Sequence, residues 1–117
     1  MTRMRLLKLA ALAAILILLA LMLDPFRTVE VRTGGDKIGH IVAFGVITGS
    51  LAILRPRWSL PLTAGTALAV GVAVEIIQGQ IGRNADVADV FADMAGILLA
   101  TFVLMSAMAV RFRARIP

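Results

Sequence analysis

Three small groups of polar residues and one arginine are set into the apolar part of the chain, and any chemistry must come from them. Asp36, Lys37 and His40 make the first, and Asp36 and His40, four residues apart, share one helix face. Glu75 and Gln78 make the second, also on one face, and Arg83 stands in a short linker after them. Asp86, Asp89 and Asp93, spaced by three and four, form one acidic stripe that runs about 10 Å along a helix. Carboxylates with one imidazole are hard donors, better suited to magnesium, manganese or iron than to a structural zinc. His40, Glu75 and Asp89 are therefore the candidate ligands of a divalent metal, with Asp93 or Asp36 behind them or acting as general base. A different use of the same groups is anion binding, with Lys37 and Arg83 meeting phosphate. Cysteine is absent, which excludes a disulfide scaffold, a thiol nucleophile and a zinc-thiolate site.

The elements that must position these groups are membrane spans. Of 117 residues, 60 % are apolar and 16 % charged, and the mean hydropathy is +0.94; soluble domains run nearer half and a quarter. Apolar runs at 6–23, 38–54, 61–78 and 87–110 are each close to the ~20 residues that carry a helix across ~30 Å of hydrocarbon. Their continuous apolarity, without the alternation of barrel strands, predicts an all-α membrane protein forming a single domain of four transmembrane helices. The first run ends Leu21-Met22-Leu23-Asp24-Pro25 with no small-x-small cleavage site, so it is expected to be a retained anchor. The pI near 11.4 does not indicate nucleic-acid binding, because most basic residues flank the apolar runs.

Those basic residues predict orientation. Arg3, Arg5, Lys8, Arg55, Arg57, Arg111, Arg113 and Arg115 fall on one side with no acid among them. Arg27, Arg32, Lys37 and Arg83 share the other side with all seven acids. By the positive-inside rule both termini are cytoplasmic. The outer ends of spans two, three and four then lie at one level. An ionised carboxylate within a span costs about 2.5–3.5 kcal/mol at its centre, so Glu75, Asp89 and Asp93 are expected to point inward, with Lys37, His40 and Arg83 as counter-ions. Such a cluster is either a functional site or polar glue between helices. Gly45 with Gly49, Ala67 with Gly71, and Ala92 with Gly96 and Ala100 are small-residue faces for close helix packing. Arg55-Pro56-Arg57-Trp58 predicts a tight turn with an interfacial tryptophan, and Arg111 to Arg115 a tail lying on anionic headgroups. The alternating stretch Thr28 to Thr33, before Gly34-Gly35, is expected to lie extended over the helix ends.

The sequence Asp36-Lys37-Ile38-Gly39-His40, then Glu75-Ile76-Ile77-Gln78, then Arg83, then Asp89-Val90-Phe91-Ala92-Asp93-Met94-Ala95-Gly96, resembles the VanZ-like family of small polytopic bacterial membrane proteins. The family pattern, DK-x-x-H, E-x-x-Q, R and D-x-x-A-[ND]-x-x-G, covers about residues 36 to 100. Asp93 departs from many relatives, which carry asparagine there, and so adds a charge. The resemblance implies an inner-membrane, cell-envelope protein, in the manner of a namesake associated with low-level glycopeptide resistance. It implies a site made of Asp36, Lys37, His40, Glu75, Gln78, Arg83, Asp89 and Asp93, the residues the membrane argument selects. His40, Glu75, Asp89 and Asp93 are the catalytic candidates. Three expectations follow: binding or modification of a lipid headgroup or cell-wall precursor, metal-dependent membrane catalysis, or a structural accessory role. A transporter is disfavoured, since four spans without inverted repeats leave little room for alternating access.

Overall fold

Each apolar run forms one helix in the computed structural model, which describes residues 1–24, 35–82 and 85–117, the side chains of Gly35 and Asp36 excepted. In chain order these are α1 (Arg3–Met22), α2 (Gly35–Leu54), α3 (Leu60–Gln80) and α4 (Val87–Arg113). All four are long and apolar enough to cross a membrane, and among the described residues there is no strand. The expected extended stretch Thr28 to Thr33, and Arg83, lie outside the described residues.

The helices reach past their apolar windows into polar sequence, because a backbone in or near lipid has no better partner than its own ladder. Thr2, Ser59 and Asp86 cap the starts of α1, α3 and α4, each side-chain oxygen accepting a backbone N–H in the first turn. After α3 the chain turns at Gly82, whose φ of +79° suits a residue without Cβ just beyond a helix end. Trp58 N–H donates to the Arg55 carbonyl at 3.0 Å, closing the expected tight turn, and the Arg55 guanidinium lies 5.7 Å from the Trp58 ring centroid. Hydroxyls inside the spans satisfy themselves: Thr48 donates to the Phe44 carbonyl at 2.7 Å and Thr101 to the Ile97 carbonyl at 2.8 Å.

Packing is inside-out relative to a soluble bundle. Phe44, Ile47, Ala67 and Ile97 form a small apolar core, while large side chains such as Phe91, Leu98 and Phe102 face outward to where lipid would lie. The most extensive helix contact is between α2 and α4, with α1 against α2 and α3 against both α2 and α4. Glycine makes the α2–α4 approach possible. A Cβ on Gly96 would overlap the Ile41 carbonyl, and one on Gly45 would touch the Gly96 carbonyl oxygen at 3.6 Å. Gly49, the other half of the expected small-residue pair on α2, has nothing within 4 Å of such a Cβ.

Candidate functional site

Because α2 and α4 begin where α3 ends, the buried ionisable groups and Gln78 collect at one end of the bundle. His40 comes from the second turn of α2, Glu75 and Gln78 from the last turns of α3, and Asp89 and Asp93 from the first turns of α4. All five side chains are buried, Asp93 completely. The His40 ring sits between two aspartates: Nδ1 is 2.7 Å from Asp93 Oδ1, and Nε2 is 3.7 Å from Asp89 Oδ2. When Asp93 is ionised it only accepts, so in that state His40 Nδ1 is the donor of this short contact. Lys37, half-exposed at the rim, approaches Asp86 at 3.6 Å and Asp89 at 3.8 Å. Glu75 Oε2 accepts the Asp86 backbone N–H at 3.0 Å, which ties the end of α3 to the cap of α4. Gln78 turns away from this group and donates from Nε2 to the Met22 carbonyl at 2.8 Å, joining α3 to the end of α1.

Two buried oxygens in the cluster make neither a hydrogen bond nor an ion pair among the described residues. Glu75 Oε1 and Asp93 Oδ2 are buried without a hydrogen-bond partner among the described residues. Such a group costs about 1–3 kcal/mol or more when charged. One donor atom each from His40, Glu75 and Asp93 lies within 4.8 Å of the other two, a grouping able to hold a metal ion. Asp93 owes its depth to a neighbour: a Cβ on Gly71 would come within 2.7 Å of its Oδ2. Beside the cluster an open groove of about 260 Å³ runs between α3 and α4. Ile76, Val87 and Val90 form its apolar wall, with Glu75 and Asp86 among its lining.

Of the residues singled out from sequence, the structure thus brings together Lys37, His40, Glu75, Asp89 and Asp93, with Gln78 adjacent but turned to α1. Asp36 lies in the first turn of α2, and its side chain, like all of Arg83, is outside the described residues. Asp93, rather than Asp89, completes the close grouping with His40 and Glu75. Asp86, read from sequence as a member of the acidic stripe but not as a binding residue, caps α4, meets Lys37 and holds Glu75 through its backbone. Its signal was available: an aspartate before the apolar run is a helix cap by position. Gly71 gave no signal beyond a small-residue face.

A family model described as VanZ/LLP1 matches residues 4–110, which covers nearly all of the four helices. No curated protein and no solved structure matches the chain.

Proposed function

The chain belongs to the VanZ/LLP1 family, and from that premise we propose that it is an envelope protein of the bacterial inner membrane that binds or modifies an amphiphile at the outer face. The ligand class is a lipid headgroup or a lipid-linked cell-wall precursor. The observation that carries this reading is the juxtaposition of an apolar groove with a buried polar cluster at one end of a four-span bundle. A hydrocarbon chain suits the Ile76, Val87 and Val90 wall, and a phosphorylated head suits the rim, where Lys37 is half-exposed. Arg83, the arginine of the family pattern, is the second candidate to meet phosphate. His40 is held by Asp93 through one ring nitrogen, an orientation that suits general acid–base work. Antibiotic resistance comes to this chain only by family association.

The test uses purified protein in phosphatidylcholine nanodiscs, titrated with phosphatidylglycerol or with a short polyprenyl phosphate. At least one should raise the melting temperature. Lys37→Gln and Arg83→Gln should each abolish that rise while leaving the unliganded melting temperature unchanged. A wild-type protein indifferent to both amphiphiles overturns the reading.

A further inference from the structure

We propose that His40, Glu75 and Asp93 form a binding centre for one divalent cation of the manganous or ferrous kind, held between α2, α3 and α4. Three observations converge on it. Donor atoms from the three residues lie within 4.8 Å of one another. Glu75 and Asp93 are only 6 % and 0 % exposed, and each carries one buried oxygen with no hydrogen-bond partner among the described residues. The remaining oxygen of each is already spent on a neighbour, Glu75 on the Asp86 N–H and Asp93 on His40.

A purely structural polar cluster would use these acids to accept bonds from facing helices, and half of their acceptor atoms do so. The two leftover oxygens do no such work, yet they sit within membrane spans, where an unmatched charge is costly. A doubly charged cation balances two carboxylates and satisfies both oxygens at once. At ligand bonds near 2.1 Å its donors settle about 3 Å apart, so rotamer shifts of about an ångström close the centre. One imidazole with two carboxylates is harder than the thiolate and multi-histidine sets of structural zinc, and softer than the all-oxygen cages of calcium. The neighbouring Asp89 adds further negative field from one turn away. The assignment stands whether or not an amphiphile binds alongside.

The experiment titrates Mn²⁺ into tag-free wild-type protein in detergent, read by equilibrium dialysis and by pulsed electron paramagnetic resonance. His40 is the chain's only histidine, so a nitrogen coupling on bound manganese can arise from no other imidazole. The expected result is one tightly bound ion with that coupling. Glu75→Gln and Asp93→Asn, which keep the size of the side chain, should each weaken binding about 100-fold or more. Their melting temperatures without metal, measured alongside, show that both variants are folded. Absence of stoichiometric binding overturns the proposal. So does binding without nitrogen coupling, or binding that either folded variant retains unchanged.

Discussion

Two residues decide what kind of cluster this is. Glu75 already has its structural bond through Oε2, and glutamine can supply the same carbonyl acceptor to the Asp86 N–H. Glu75→Gln should therefore leave the metal-free melting temperature equal or raised, because a buried charge disappears while the bond survives. A variant that melts well below wild type, with or without divalent metal, would mark the acid as helix glue and remove the case for an active centre. Gly71 acts on Asp93 from the opposite side. The 2.7 Å approach of an added Cβ to Asp93 Oδ2 forces that carboxylate to move, so Gly71→Ala should destabilise by about 1–3 kcal/mol. It should also shift the ring resonances of the chain's single imidazole as the His40–Asp93 bond is disturbed. An unchanged imidazole spectrum would show that Asp93 has room the structure does not give it.

At the scale of the element, most of the fold was legible in the sequence because each span answers to one local rule. About twenty apolar residues suffice to fix a helix in lipid, and Ser59 and Asp86 announce their helix starts by type. The gathering of His40, Glu75 and the α4 aspartates was legible too, since alternating helices return every second end to one level. What sequence could not give was rotation about a helix axis. Asp89 and Asp93 are one turn apart on one stripe, so spacing admits either as the partner of His40. The close approach of α4 to α2 at Gly96, together with the space over Gly71, puts Asp93 deepest. The same limit applies to the small-residue faces, where Gly45 meets α4 and a Cβ on Gly49 would have no described residue within 4 Å. Gly96→Ala should destabilise by about 1–3 kcal/mol through overlap with the Ile41 carbonyl. Gly49→Ala should be neutral or stabilising by up to about 1 kcal/mol, as alanine is the better helix former. Unfolding of the detergent-solubilised variants in a common denaturant series checks the contrast; equal losses would mean that the α2–α4 crossing is not set by glycine.

For the whole molecule, the decisive question is which side of the membrane the polar end faces. The helix directions place Arg3, Arg5, Lys8, Arg55, Arg57, Arg111, Arg113 and Arg115 at the end opposite His40 and Asp89. Clusters of lysine and arginine in short loops are retained on the cytoplasmic side during insertion. The site should accordingly open outward, where lipid-linked wall precursors are consumed and where a cytosolic substrate cannot reach. The absence of cysteine makes this directly measurable, because every introduced thiol is unique. Pro56→Cys and Ile116→Cys lie exposed at the basic end, and Gln80→Cys lies exposed at the polar end. In intact spheroplasts a membrane-impermeant maleimide should label only Gln80→Cys, and all three should react once the membrane is permeabilised. The opposite pattern would turn the groove and its acids towards the cytoplasm. An external precursor would then be the wrong ligand class, whereas the cation centre, which depends only on how α2, α3 and α4 pack, would keep its argument intact.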